Sequence, residues 1–131
     1  GFVFRGDDGL DEITLATTTS VLSIGNGEIS SDLIDPLDFG IARAPISALV
    51  GGDATENARI TTAIFAGEKG APRDAVVLNA AAAIAAYEAR FDLNLQDRIA
   101  LGVSRAIEAI DSGASTRLVG QWADLTQKLG A

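Results

Sequence analysis

The sequence predicts a mixed α/β fold, with strands and a hairpin in the first third followed by four helices. Three features carry this expectation. Strand-favouring Val, Ile, Leu and Thr gather before position 35 around a Gly25-Asn26-Gly27 turn. From Asp53 onward, apolar residues recur at helical spacing behind cap-forming side chains. Strands come first and helices after, which suggests half of a larger layered domain and not repeating βαβ units.

Residues 2–5 read as a short strand and residues 6–12 as an acidic loop. Residues 13–17 and 20–24 favour strands. Gly25-Asn26-Gly27 suits a hairpin turn because these residues tolerate positive φ, and Glu28 to Ile34 returns as the partner strand. Asp35-Pro36 stops it, since proline removes a ladder donor and restricts the residue before it. Residues 35–52 read as irregular chain with one helical turn around Ile46 to Leu49.

Asp53-Ala54-Thr55-Glu56 has capping-box spacing, with Asp53 accepting from an orphan amide and Glu56 reaching back. The first helix then runs to about Ala66 on a face of Ile60, Ala63 and Ile64. Gly67 to Gly70 is a break, and Pro72 suits the first turn of the next helix. From Ala75 to Tyr87 the only strongly polar residue is Asn79, which predicts a core helix buried on all sides. A third helix starts near Asn94 and aligns Ile99, Val103, Ala106, Ile107 and Ile110 before Ser112-Gly113 breaks it. The last carries Leu118, Trp122, Leu125 and Leu129 on one side, with Lys128 in its final turn and Gly130 beyond.

At 131 residues and 47% hydrophobic, the chain is long enough for one domain with a sizeable core. It contains no Met and opens on Gly1-Phe2-Val3-Phe4, from which we expect a piece of a longer polypeptide; a trimmed complete domain has the same composition. No basic region precedes an apolar stretch, and no apolar run is long enough to span a bilayer. Without Cys or His the chain has no disulfide, no thiolate or imidazole metal ligand and no cysteine nucleophile. Any metal it holds is therefore a hard ion bound through oxygen, such as magnesium, manganese or calcium. A net charge of −8 disfavours nucleic acid and anionic membranes as partners.

The most specific local feature is Asp7-Asp8-Gly9-Leu10-Asp11-Glu12, four carboxylates in six residues with no basic side chain among them. Like charges this close repel unless water or a cation screens them. Two readings follow: a solvated acidic turn, which charge runs usually are, or a hard-cation site at the end of a strand. For two adjacent residues to face one ion the loop must bend, and Gly9 has the freedom to allow it.

Six blocks carry a resemblance. They are Val3-Phe4-Arg5-Gly6-Asp7-Asp8-Gly9-Leu10-Asp11-Glu12, Asp35-Pro36-Leu37-Asp38-Phe39-Gly40, Gly51-Gly52-Asp53-Ala54-Thr55-Glu56-Asn57-Ala58, Gly67-Glu68-Lys69-Gly70, Arg73-Asp74-Ala75-Val76-Val77-Leu78-Asn79-Ala80-Ala81, and Ala109-Ile110-Asp111-Ser112-Gly113-Ala114. In this order they resemble the C-terminal part of the catalytic domain of anthranilate phosphoribosyltransferases. The family's N-terminal helical domain, its Gly-Thr-Gly-Gly-Asp phosphate loop and its Lys-His-Gly-Asn-Arg motif have no counterpart here. Gly51-Gly52-Asp53 matches the later helix-capping block and not that phosphate loop. Arg5 departs from the pattern, since many relatives carry His before the glycine; it is placed to salt-bridge a neighbouring carboxylate.

The resemblance implies that residues 1–131 are the C-terminal portion of an α/β/α domain of the nucleoside phosphorylase and phosphoribosyltransferase type. It implies transfer of phosphoribose from phosphoribosyl pyrophosphate (PRPP) to anthranilate, with release of pyrophosphate, in tryptophan biosynthesis. It also implies Mg2+ held by Asp11 and Glu12, a cytoplasmic location, and a homodimer for the full-length enzyme. Asp7 and Asp8 do not inherit the ligand role, and no residue of this piece is implied as catalytic. The piece is expected to be inactive without its N-terminal portion. The alternatives are a pyrimidine nucleoside phosphorylase-like enzyme, and a non-catalytic cation-binding module whose acidic loop holds calcium. The acid spacing does not match an EF-hand loop.

Other polar residues have plainer readings. Asn79 reads as a buried amide bonded to neighbouring backbone, ahead of a substrate contact. Arg73 reads as a helix N-terminal charge pair with Asp74, Trp122 as core, and Lys69 as solvated.

Overall fold

The computed structural model describes residues 1–130 and is mixed α/β, as the sequence predicts. Three strands, β1 (Phe2–Gly6), β2 (Thr19–Gly25) and β3 (Glu28–Ile34), form an antiparallel sheet in the order β1-β2-β3. Two 3-10 turns follow, Pro36–Phe39 and Ile46–Leu49, the second where one helical turn was expected. The helices are α1 (Ala54–Phe65), α2 (Ala71–Glu88), α3 (Leu95–Asp111) and α4 (Ala114–Leu129).

Local chemistry sets most of these boundaries. Asn26 and Gly27 both take positive φ, 51° and 80°, between the paired Gly25 and Glu28. That conformation suits the right-handed twist of a two-residue hairpin. Asp53 caps α1 by accepting from the Glu56 amide at 2.9 Å. The Glu56 side chain does not close the expected reciprocal box; it forms a two-pronged pair with Arg59 instead. Asn94 caps α3 through the Asp97 amide at 2.8 Å, and Gly113, at φ 72°, separates α3 from α4.

One segment departs from its expected structure. Residues 13–17 are rich in strand formers but form no strand. Their backbone groups are engaged elsewhere: Ile13 by Asn79, the Thr14 amide by the Thr19 hydroxyl, and the Leu15 carbonyl by the Ala44 amide. Ile13, Thr14 and Leu15 are nonetheless buried. Their apolar character reflects core packing without ladder pairing.

The core joins Ile13, Leu15 and Val21 to α2 and α3. Those two helices pack closely against each other through Ala81, Ala82 and Ala85 on α2 and Ile99, Gly102, Val103 and Ala106 on α3. The expected stripe on α3 holds, save that Ile107 is partly exposed. Helix α2 is not buried on all sides, because Val76, Ala83 and Tyr87 line an exposed stripe. Trp122 is not core either; with Leu118, Leu125 and Leu129 it stands exposed on α4. The periodicity correctly marks an apolar face in each case, but these stripes have no packing partner among the described residues.

Two buried arginines secure the helices. Arg73 pairs with Asp111 at 2.6 Å, not with the expected Asp74, and Lys69 joins the same carboxylate at 3.5 Å. Arg98 donates to the Ala85 carbonyl at 3.1 Å, and its guanidinium lies 4.8 and 5.2 Å from the ring centres of Phe2 and Phe91. Cation–π attraction thus ties β1 to the α2–α3 connection.

Candidate metal centre

The acidic loop begins where β1 ends. The Gly9 amide donates to the Gly6 carbonyl, and the Gly6 amide to the Leu10 carbonyl, each at 2.8 Å. Gly9 takes φ 96°, which supplies the bend that the sequence requires there. The four acids of this loop then divide into two pairs with different work.

Asp7 and Asp8 are engaged by the loop itself. Asp7 accepts from the Thr18 hydroxyl and from the Ser20 hydroxyl, the latter at 2.9 Å. Asp8 accepts from the Thr14 hydroxyl at 2.7 Å and from the Leu10 amide at 3.1 Å. These bonds hold both carboxyls below their ordinary range, through Thr18 and then Ser20 for Asp7, and through Thr14 and then the Leu10 amide for Asp8. Asp7 and Asp8 thus support the loop, each through the two hydrogen bonds that it accepts.

Asp11 and Glu12 are different. Both are exposed, and neither takes part in a hydrogen bond or ion pair among the described residues. Arg5 does not form the expected salt bridge; its Nη2 lies over Gly9, 3.8 Å from where a Cβ there would stand. Asp11 and Glu12 line an open cavity of about 470 Å³ whose other walls include Ile46, Val50, Ile60 and Val76. Two free carboxylates beside an open volume suit a hard cation that takes its remaining ligands from water or substrate oxygens. Among the described residues no group of three or more acidic side chains converges to cage an ion unaided.

Asn79 and Lys69 behave much as their plainer readings suggest. Asn79 is bonded to backbone, accepting from the Ile13 amide and donating to the Ile13 and Ala75 carbonyls, each at 3.0 Å. Lys69 is largely exposed while paired with Asp111. The link from Asn79 to the acidic segment is not visible in the sequence, because the partners lie 66 positions apart. The one signal was an amide in an otherwise apolar helix.

The loop's carboxylates make stability pH-dependent in a definite sense. A carboxyl whose pKa is depressed by folding adds stability above its unfolded value and loses it as pH falls through its folded value. For Asp7 and Asp8 the unfolded value is 3.8. Asp92 is lowered further, to about 2, chiefly by its bond from Arg90. Thermal melting should therefore be level at neutral pH and weaken progressively as pH falls through the ordinary carboxyl range and below it. Asp8→Asn should lower the neutral melting temperature and make the acid limb shallower; identical limbs for both proteins would show that the Asp8 bonds do not contribute.

Comparison with known proteins bears on the family and the fold. Residues 1–116 match the glycosyl transferase family, a/b domain. Anthranilate phosphoribosyltransferase from Rhodococcus jostii is 49% identical over 127 residues, covering 97% of this chain and 35% of the relative. The protein of that name from Mycolicibacterium smegmatis is 46% identical over 128 residues, covering 97% of this chain and 35% of its own length. Among solved structures, anthranilate phosphoribosyltransferase from Thermus thermophilus superposes with a TM-score of 0.74 at 33% identity, covering 93% of this chain and 34% of that one. The Saccharomyces cerevisiae enzyme, solved in complex with PRPP and Mg, shares the fold at a TM-score of 0.76 and 24% identity, covering 88% of this chain and 32% of that one. The chain spans about 35% of the length of the curated relatives it matches. A family match running from the first residue into α4, with sheet order and helix succession in keeping, leads to one conclusion: the chain belongs to the glycosyl transferase family, a/b domain.

Proposed function

We propose that this chain is the C-terminal portion of the catalytic domain of an anthranilate phosphoribosyltransferase acting in tryptophan biosynthesis, and that Asp11 and Glu12 hold the Mg2+ that accompanies PRPP. What carries this reading is a pair of exposed, unpartnered carboxylates at a cavity, in a chain 49% identical to a protein of that name. The rest of the polypeptide would supply the phosphate loop, the anthranilate contacts and the dimer surface of a full-length homodimer. The exposed apolar stripes of α2 and α4 and the apolar outer face of the sheet (Val3, Leu22 and Leu33) are available for it to cover.

In this reaction the bond from ribose C1 to the pyrophosphate oxygen breaks, and a bond from C1 to the anthranilate nitrogen forms. The amine loses one proton, and pyrophosphate leaves with the bonding electron pair. Positive charge develops on the sugar while negative charge gathers on the leaving group. When bound, the cation supplies neutralisation of that negative charge. Asp11 and Glu12 contribute by anchoring it beside the cavity, and the rigid loop behind them contributes orientation. No strong base is required, so a chain without His or Cys can take this part.

The test compares the full-length polypeptide with the 131-residue chain. The full-length protein should form phosphoribosylanthranilate only with Mg2+, the chain alone should form none, and mixing it with the missing portion should restore turnover. Turnover by the chain alone at an ordinary rate would overturn the division of labour. Phosphorolysis of thymidine or uridine by the full-length protein would select a pyrimidine nucleoside phosphorylase. In calorimetry, PRPP should bind only with Mg2+; calcium binding indifferent to PRPP would select a cation-binding module.

A further inference from the structure

The segment that carries Asp11 and Glu12 is held from both sides by the residues that bracket it. Upstream, both backbone groups of Leu10 are taken: its amide donates to Asp8 Oδ1 at 3.1 Å, and its carbonyl accepts from the Gly6 amide at 2.8 Å. Downstream, both backbone groups of Ile13 are taken by a single side chain, Asn79 of α2. Its Oδ1 accepts from the Ile13 amide and its Nδ2 donates to the Ile13 carbonyl, each at 3.0 Å. The second Nδ2 proton goes to the Ala75 carbonyl one helical turn back, also at 3.0 Å. The orientation of the amide is unambiguous, since one neighbour is a donor and two are acceptors.

A peptide group is planar, so a bond to one of its atoms orients the whole unit. The Ile13 amide belongs to the peptide that contains the Glu12 carbonyl, and the Leu10 carbonyl belongs to the peptide that contains the Asp11 amide. The planes on either side of the acid pair are therefore both fixed, one by Gly6 and the other by Asn79. Only the peptide between Asp11 and Glu12 lacks a bond among the described residues. Burial of the Ile13 side chain, which is 1% exposed, holds that residue in place but leaves the tilt of its peptide plane unspecified. The amide of Asn79 supplies the tilt.

We propose that Asn79 is a positioning residue for the cation site: by clamping Ile13 to α2 it sets the direction of the Glu12 carboxylate relative to that of Asp11. The inference rests on the reading of Asp11 and Glu12 as the metal pair and adds the element that aims them. Magnesium demands near-ideal octahedral geometry and tolerates displaced ligands poorly. Groups that orient ligands from behind typically change metal affinity by about 10- to 100-fold when removed. The bracket acts as a pre-formed hinge stop, so that binding the ion does not have to order the loop.

The experiment uses the full-length polypeptide and Mn2+ as the probe, titrated in the presence of PRPP and followed by electron paramagnetic resonance. Asn79→Ala should weaken apparent Mn2+ affinity by roughly 10- to 100-fold and speed hydrogen exchange at the Ile13 amide. Val103→Ala, a buried truncation in α3, should lower the melting temperature yet leave the Mn2+ titration at its wild-type position. If Asn79→Ala is too unstable to purify, Asn79→Leu keeps similar volume, removes the amide and should show the same loss of affinity. Wild-type Mn2+ affinity in a folded Asn79 variant would overturn the proposal, as would an equal loss in Val103→Ala. The double variant Asp11→Asn/Glu12→Gln separates the two levels. If it abolishes Mn2+ binding while Asn79 variants do not, only the positioning role fails. If it leaves Mn2+ binding intact, the metal reading itself fails.

Discussion

Replacing Asp11 by Asn and Glu12 by Gln in the full-length polypeptide is expected to lower magnesium-dependent phosphoribosyl transfer roughly a hundredfold or more, the scale seen when a group stabilising transition-state charge is removed. The substitutions keep the size and shape of both side chains and remove only their charge. Neither residue has a protein partner among those described, so no bond within the chain is lost. Melting temperature should stay level or rise slightly, because two like charges leave a crowded loop in a protein of net charge −8. The informative signature is a large fall in turnover with an unchanged fold, together with a higher Mg2+ requirement. Undiminished activity at ordinary Mg2+ would show that the carboxylates only solvate the turn.

The second large effect concerns the packing of α2 on α3. A Cβ built on Gly102 would stand 2.4 Å from the Ala81 carbonyl oxygen and 2.8 Å from the Ala81 Cα. Those are backbone atoms, which cannot swing aside as the end of a side chain can. In a helix interior Ala is favoured over Gly by about 1 kcal/mol, whereas forcing extra atoms into a packed core costs typically 1–3 kcal/mol and occasionally more. The contact distance decides in favour of the second term, so Gly102→Ala is expected to destabilise despite the better helix former. Gly102→Val should be worse, adding a branched side chain at the same point. Thermal melting of the two variants checks the order. A Gly102→Ala protein that melts at or above the wild-type temperature would mean that α3 can move away from α2 at little cost.

The two effects differ in how readily the residues could be found. The acidic run stands out because four carboxylates in six residues are unusual however the chain folds, Gly9 within it announces a bend, and the resemblance to the family is what picks out Asp11 and Glu12. Gly102 is one of 14 glycines and carries no local mark. Its importance comes from α2 passing within reach, and that helix lies about twenty positions earlier.

The same contrast runs through the fold. The Asn26-Gly27 turn, the Asp53 and Asn94 caps and the Gly113 break were legible because each acts within a few residues, where covalent geometry and the nearest orphan amides dominate. Residues 13–17 misled for the opposite reason. Their side chains favour strands, yet the hydrogen bonds that would make a ladder go to Asn79, Thr19 and Ala44. The Arg73 partner also had to be found 38 positions away, at Asp111. Trp122 shows a further limit, since an apolar stripe specifies that a face favours burial but not what buries it.

Residue order alone was sufficient for the mixed α/β class, nearly all helix limits and the bend at Gly9. These depend on short-range sterics, capping and charge, which operate between neighbours along the chain. Three-dimensional packing assigned Asp7 and Asp8 to loop support, left Asp11 and Glu12 unengaged, and brought Asn79 against Ile13. Those outcomes depend on which distant groups compete for the same hydrogen bonds, and that competition is resolved only when the core closes.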